Sequence, residues 1–360
     1  MSPTASVQVD PRGLSAFAQA SFEATGMSPR DAAAASQVLV RTTLRGVDSH
    51  GIAYLHAYIA QLEAGGADPR AELQILRQTP STALLDADGG NGLAMMSQAT
   101  QLALEKARLS ASATVLVRNS NHFGAAGHYA LVCAEAGMIA LVLGNSNPIM
   151  QVPGARTRSI GNGATAYGIP VPDGPPIVLD IALSVVAGGK VRMAQRRGES
   201  VPPGWIVDAQ GNPTQDPADF LDRGGALLPV GAHKGYGLTV LGEILAGVLA
   251  GASTGPEVIS WLKSPTLPAR IGHYIYVLDP EAFMAAGEFQ ARLASYRDGI
   301  QGAPRADGVE RIYLPGEIEH DKEQNSSRVL ELESVVWDGL TSLAQRLGLG
   351  ATLDAALASS

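Results

Sequence analysis

Two histidines stand where a side chain could exchange a proton with a bound molecule. His122 lies in Arg118-Asn119-Ser120-Asn121-His122-Phe123-Gly124-Ala125-Ala126-Gly127-His128, where the apolar run 113–117 gives way to polar residues and a glycine-lined helix begins. Backbone N–H groups at a helix start lack intrahelical acceptors, so this turn offers donors and a titratable ring together. His50 lies in Asp48-Ser49-His50-Gly51, between two helical stretches. Imidazole gives or takes a proton near neutral pH, so both suit donation to a reacting oxygen. For either histidine alone, a turn-capping hydrogen bond is an equally ordinary role.

Two more stretches could hold a phosphorylated, hydroxyl-bearing ligand. In His233-Lys234-Gly235-Tyr236-Gly237 an ammonium precedes a glycine-started helix, a combination that favours phosphate, although lysines on solvated loops are commonplace. In Leu179-Asp180-Ile181-Ala182-Leu183-Ser184 a carboxylate and a hydroxyl follow a predicted strand, a common location for ribose contacts. Other chemistries fit less well. The pairs His50/His56 and His122/His128 are each six apart, about 120° off a shared helical face, unlike the four-residue spacing of zinc-binding pairs, so no metal is expected. No Gly-x-Ser-x-Gly elbow occurs, and Ser49 and His50, adjacent on a helix, are not expected to face each other. Gly90-Asn91-Gly92 opens a helix after a strand, but Met95 stands where a dinucleotide fingerprint needs its third glycine.

The elements that must position these residues can be read from periodicity and caps. Residues 13–23 and 32–44 are predicted helices, the second started by Ser28 as N-cap with Pro29 and Asp31. A second helix of that region is predicted to begin near Ser49 and run to Glu63, completing a small helical module over the first 70 or so residues. From Ser81 strands alternate with helices, marking the boundary of the main domain. Predicted strands are 82–86, 113–117, 138–143, 177–181, 206–207 and 274–278; predicted helices are 93–107, 124–136 and 282–296. The segments 151–176 and 202–217 read as ordered loops, and 311–317 as a final extended segment. The helix 334–347 is expected to fold back on the N-terminal module. Leu238 to Leu249 is the most hydrophobic stretch, and its small residues predict a helix gripped by neighbours inside the protein.

Composition limits the possible partners. The chain has 360 residues, 46% hydrophobic and 17% charged, with a formal net charge of -8, enough for a large core and without a basic stripe for nucleic acid. A single cysteine, Cys133, excludes an internal disulfide, and no apolar run reaches the ~18 residues of a membrane span; a cytoplasmic protein without a signal peptide is expected.

In combination these segments resemble the type-2 malate/L-lactate dehydrogenase family, whose relatives include ureidoglycolate dehydrogenase, diketogulonate reductase, sulfolactate dehydrogenase and a cyclic-imine reductase. The matching pieces are Arg45-Gly-Val-Asp-Ser-His-Gly51, Asn119 to Gly127, Leu179-Asp180 with Ser184, Lys190, Pro203-Gly-Trp205, Lys234-Gly-Tyr-Gly237 and Pro315-Gly-Glu317. They follow the family's order over nearly the whole chain.

The resemblance implies an α+β (mixed α/β) fold: a non-Rossmann, nicotinamide-binding mixed-sheet domain (76–329) beside a helical module from both chain ends (1–75 with about 330–360). It implies hydride transfer between NAD(H) or NADP(H) and a small 2-oxo or 2-hydroxy compound, and at least a homodimer. His50 becomes the proton donor, with Ser49 beside it, and His122 either a second acid/base or a ring-positioning group. The implied cofactor contacts are His122, Phe123, Gly124, Ala125, Ala126, Ser146, Asp180, Ile181, Ala182, Ser184, His233, Lys234, Arg311, Pro315, Gly316 and Glu317. Tyr54, Tyr58, Asn162 and Lys190 would face the substrate.

Two departures stand out. The family places an arginine where this chain has Tyr54, and a Gly-Thr-Asn-Pro segment where it has Gly161-Asn162-Gly163-Ala164. A phenol cannot replace a bidentate guanidinium, so a substrate carboxylate would need Arg156, Arg158 or Tyr58, or be missing. Lys190, where the imine-reducing branch prefers an acid, favours oxo or hydroxy substrates; reduction of a cyclic ketimine acid, cofactor binding without turnover, and a lyase or isomerase working without nicotinamide are the alternatives.

Overall fold

The computed structural model describes residues 6–358. Strand β1 (Ser6–Val9) leads into α1 (Pro11–Ala24), where Asp10 accepts the Arg12 N–H, and Ser28 caps α2 (Pro29–Leu44) by accepting the Asp31 N–H. Leu14, Phe17 and Phe22 of α1 and Ala35, Val38 and Leu39 of α2 are fully buried at helical spacing, so the two helices pack along one apolar stripe. Residues Asp48–His50 and Ile52–Tyr54 then form two short 3₁₀ turns before α3 (Leu55–Glu63). The regular helix predicted from Ser49 is interrupted because Gly51 is extended and pressed on Thr43, whose Oγ1 accepts the Ile52 N–H at 2.8 Å.

After β2 (Gln74–Gln78) and β3 (Thr82–Asp86), α4 (Gly92–Ser110) crosses over to β4 (Ser112–Ser120), and α5 (Ala126–Glu135) leads to β5 (Ile139–Gly144). Asn91 caps α4 with two backbone N–H groups on its Oδ1. Next come β6 (Met150–Gln151), β7 (Arg158–Ile160), β8 (Ala164–Ile169) and β9 (Ile177–Ala182). A smaller layer follows: α6 (Gly188–Arg197), β10 (Ile206–Val207), β11 (Pro213–Thr214), α7 (Pro217–Leu221), β12 (Ala226–Leu227) and α8 (His233–Gly242). The chain returns through β13 (Ile271–Leu278), α9 (Glu288–Gln301), α10 (Glu317–Asn325), β14 (Leu330–Glu333), α11 (Ser334–Leu347) and α12 (Gly350–Asp354).

The main sheet has seven strands in the order β2-β3-β4-β13-β5-β8-β9. Only the β3–β4 pair in it is parallel, so this is a mixed sheet and no parallel dinucleotide-binding half is present among the described residues. A five-stranded sheet, β11-β10-β12-β6-β7, forms the smaller layer, and β1 pairs antiparallel with β14, joining the two chain ends. One buried apolar cluster runs from the terminal helices through the main sheet; a second, including Met150, Val191, Ile206, Phe220 and Leu227, lies under the smaller sheet.

Several elements differ from expectation for local reasons. The segment read as loop 151–176 supplies β7 and β8, and β8 lacks the bulky β-branched pattern of a strand because Gly168 abuts the α5 backbone, where a Cβ would stand 2.2 Å from the Ala130 oxygen. The helix expected at 282–296 begins only at Glu288, after Gly287 at φ 79°. Segment 311–317 is not a strand: Gly316 at φ 91° turns the chain into α10. The apolar stretch of α8, continued by π-helical turns over Glu243–Val248, buries its small residues Gly242, Ala246 and Gly247 but leaves Leu238, Leu241, Ile244 and Val248 about half exposed or more. Small side chains let the helix approach β13, where a Cβ on Gly272 would strike the Ala246 oxygen, and so its bulky face turns outward. No helix among the described residues is long and apolar enough to cross a membrane.

Candidate active site

The exit of β4 and the 3₁₀ turn after α2 bring His122 and His50 together, with ring centroids 5.6 Å apart and 20° between planes. His122 is stacked on its other neighbour, Trp261, at 4.7 Å, and Trp261 also packs on Tyr58 at 4.8 Å and Tyr54 at 6.2 Å. The result is an aromatic wall holding both imidazoles. Tyr58 is buried and its hydroxyl lies 2.5 Å from His122 Nδ1. Ser49 Oγ lies 2.9 Å from His50 Nδ1, so these sequence neighbours do meet. The expectation that they would not assumed α-helical directions, whereas a short 3₁₀ turn ending at the extended Gly51 lets the hydroxyl swing onto the ring. Removal from water lowers both histidines, His122 further because His50 and His273 are close.

A cleft of about 470 Å³ lies between α5, β9 and the loop before α10, and its lining includes Val47 and Ala125, near in sequence to His50 and His122. Its walls include Arg45, Gly127, Asp180, Ile181, Tyr313, Pro315, Gly316 and Glu319. Pro315 is fixed by its carbonyl, which accepts the Val178 N–H at 2.9 Å, and Gly316 is pressed so closely on Val178 that a Cβ would lie 2.9 Å from its backbone. Asp180 accepts the Gly127 N–H at the start of α5. Its recessed position, with Glu319 adding and Gly127 and Arg45 opposing, pushes the carboxyl up to about 6. Arg45 donates to Glu323 at 2.8 Å and to the Gly316 carbonyl at 3.4 Å, tying the cleft floor to its rim.

The chain has counterparts among known proteins. The sequence pattern of the malate/L-lactate dehydrogenase family matches residues 9–341. The malate dehydrogenase of Pyrococcus abyssi is 34% identical over 332 residues, 90% of each chain. The solved sulfolactate dehydrogenase of Methanocaldococcus jannaschii superposes with a TM-score of 0.88 at 31% identity, covering 95% of this chain and 98% of that one. The chain belongs to the malate/L-lactate dehydrogenase family. It is a dehydrogenase with that family's mixed-sheet fold. A delta1-piperideine-2-carboxylate reductase from Pseudomonas syringae pv. tomato also superposes, with a TM-score of 0.84 at 31% identity over 94% of this chain and 99% of that one.

Within this dehydrogenase the residues marked in the sequence fall into three groups. His50, Ser49, Tyr54, Tyr58 and His122 share the aromatic pocket, while Ala125, Asp180, Ile181, Pro315 and Gly316 line the cleft. Ser146 and Asn162 are bonded to each other at 3.2 Å, and the Asn162 carbonyl accepts the Leu183 N–H just beyond β9. The α8 start is joined to the same segment by the Val230 N–H on the Leu183 carbonyl.

Other residues are committed elsewhere. The Phe123 ring is buried against Tyr129 and His273, so only its backbone could meet a ligand. Ser184 is buried and donates to the Val186 carbonyl at 2.8 Å, closing a turn instead of facing a ribose. Glu317 accepts the Leu314 N–H and both Gln301 bonds, and Arg311 pairs with Glu317 and Asp321, so these two brace the cleft rim. The α5 start is not bare, since Asp180 caps it. The first turn of α8 is not open either: the N–H groups of Lys234, Gly235 and Tyr236 bond to Gly231, Val230 and Ala232, leaving Lys234's exposed side chain as the feature a phosphate could use. Lys190 is exposed on α6. Arg158 holds the Gly225 and Phe220 carbonyls, which removes it as a carboxylate clamp, while Arg156 is exposed.

Trp261, Tyr313 and Glu319 were not visible as site residues in the sequence. Trp261 comes from a loop after α8 with no motif around it, and its proximity to His122 is a product of long-range folding.

Proposed function

We propose that this dehydrogenase uses NAD(H) or NADP(H) to interconvert a small 2-oxo compound and its 2-hydroxy form, with His50 exchanging the proton. The observation that carries this reading is the pair of imidazoles stacked at 5.6 Å, together with a cleft that is lined by Val47 and Ala125 of the same two segments and holds the Asp180 carboxylate. The cleft suits a planar, hydroxyl-bearing cofactor: Ile181, Tyr313 and Pro315 offer flat apolar walls, and Asp180 has lone pairs left for hydroxyl or amide donors. When bound, the nicotinamide supplies a hydride to a carbonyl carbon or takes one from a carbinol carbon.

The chain's own part is proton management and placement. In reduction His50 donates its Nε2 proton to the carbonyl oxygen as the carbon gains the hydride, leaving a hydroxyl and a neutral imidazole; oxidation reverses each step. Ser49 serves both states, because its oxygen accepts from Nδ1–H, which the ring keeps whether Nε2 carries its proton or has given it up. Tyr54, Tyr58 and Trp261 exclude water from one side of the pocket.

The aromatic wall also favours a second reading, reduction of a cyclic ketimine acid, since a ring substrate can stack where the relatives' arginine is replaced by Tyr54. We infer a homodimer or larger assembly from the outward apolar face of α8, a cytoplasmic setting from the lone, buried Cys133, and a division into a helical module (1–75 with 330–360) and a sheet domain (76–329) from the β1–β14 pairing. Nicotinamide fluorescence during titration with NADH and with NADPH tests the proposal; binding of neither ends it. A panel of 2-oxo acids and cyclic imines then separates the two readings.

A further inference from the structure

We infer that Tyr58 fixes His122 as a neutral imidazole with its hydrogen on Nε2, so that His122 serves only as a hydrogen-bond donor in the pocket while His50 carries the exchanged proton; this deepens, and rests on, the dehydrogenase reading above. The argument is one of direction. A backbone N–H can only donate, and the Gly124 N–H is directed at His122 Nδ1 at 3.4 Å, so that nitrogen presents a lone pair. The Tyr58 hydroxyl 2.5 Å from the same lone pair is then the donor of that short bond. Nδ1 therefore receives hydrogens from two donors and cannot bear one of its own. A neutral imidazole bare at Nδ1 is protonated at Nε2. Tyr58 is 1% exposed and Trp261 stacks on both rings, so neither partner can turn away without emptying a packed site.

His50 is held differently. Its Nδ1 partner is a serine hydroxyl, which donates or accepts with equal ease, so His50 can gain and lose a proton without losing its hydrogen bond. His122 Nδ1 faces a backbone N–H that can only donate, and adding a proton would set Nδ1–H against it and place an imidazolium 5.6 Å from His50. Removal from water, with His50 and His273 nearby, opposes that charge as well. One histidine is thus a proton carrier and the other a fixed donor, suited to hold a substrate oxygen in line.

The test begins on the free enzyme. Two-bond nitrogen–hydrogen correlation spectra of protein labelled with ¹⁵N-histidine, with His122 assigned by its loss in His122→Gln, are expected to show Nε2 protonated and Nδ1 bare throughout about pH 6 to 8. An Nδ1-protonated ring, or conversion to imidazolium in that interval, overturns the inference. Tyr58→Phe is expected to bring in the other tautomer and lower kcat with KM little changed, and an unaltered His122 spectrum in that variant removes Tyr58 from its role. Glutamine keeps an N–H donor near the Nε2 position but cannot titrate. His122→Gln should therefore stay within about tenfold of the parent in kcat, whereas His50→Gln should lose about a hundredfold or more. Equal losses would make His122 an acid/base after all. Because the spectra need neither cofactor nor substrate, a failure of the dehydrogenase reading and a failure of the tautomer assignment give different results.

Discussion

His50 and Asp180 are displaced from their ordinary ionisation in ways that predict separate pH effects. Burial lowers His50 from 6.5, so it is mostly neutral and ready as a base at neutral pH. Oxidation of the hydroxy compound should then lose kcat/KM only as pH falls through a midpoint below 6.5, and His50→Ala should abolish turnover while cofactor affinity changes by no more than a few-fold. Retained turnover in that variant would reassign the base. For Asp180 the folded-state value of about 6 lies above the 3.8 of an ordinary aspartate, so the folded protein binds this proton more tightly. Its contribution to stability is present at low pH and lost as pH rises through about 6. Asp180→Asn keeps an acceptor for the Gly127 N–H and removes the titration. Its Tm relative to the parent should rise between about pH 4 and about pH 8, and a pH-independent difference would show that the carboxylate is not strained there. Tyr54→Arg, tested with a 2-oxo acid, should raise kcat/KM about tenfold or more if a guanidinium at this position is what the substrate carboxylate lacks.

At the level of elements, the loop into α10 sets the width of the cleft. Gly316 combines a left-handed φ of 91° with contact distances of 2.9 Å from a built Cβ to the Val178 backbone, so alanine there is both strained and obstructed. Gly316→Ala should cost about 2 kcal/mol in a denaturant titration and weaken nicotinamide binding, because the Pro315–Val178 bond and the Arg45 contact both depend on that turn. An unchanged transition would mean that the loop is free to move off β9. The same region shows why the sequence misleads locally. Pro315, Gly316 and Glu317 are cofactor contacts by the family resemblance, yet Glu317 and Arg311 commit their charges to bracing the turn and Ser184 closes another. A short motif carries both the residues that touch a ligand and those that shape the backbone around it.

For the molecule as a whole, the outward face of α8 is the surface on which the proposed assembly would form. Leu238, Leu241 and Ile244 recur at helical spacing with exposures of 55%, 50% and 47%, and Val248 follows at 63%, a row that water disfavours. Light scattering should give at least twice the mass of one chain, and Leu241→Glu should shift the enzyme toward the monomer; a parent that is already monomeric would refute the proposed assembly.

The sequence by itself determined the helices with a cap and an apolar stripe, such as 29–44 and 334–347, and the strands with β-branched runs, because those signals are complete within a few residues. It also marked His50 and His122 in polar turns and Asp180 near the end of a strand, since those signals are local. Tertiary structure alone decided that two imidazoles 72 positions apart would stack, that Trp261 would cover them, that Asp180 would cap α5, and that glycine-rich β8 would be a strand. The reason is physical. Propensity and capping act between neighbours along the chain, whereas the packing of small residues against backbone and the direction of a hydrogen bond are fixed only when distant segments meet.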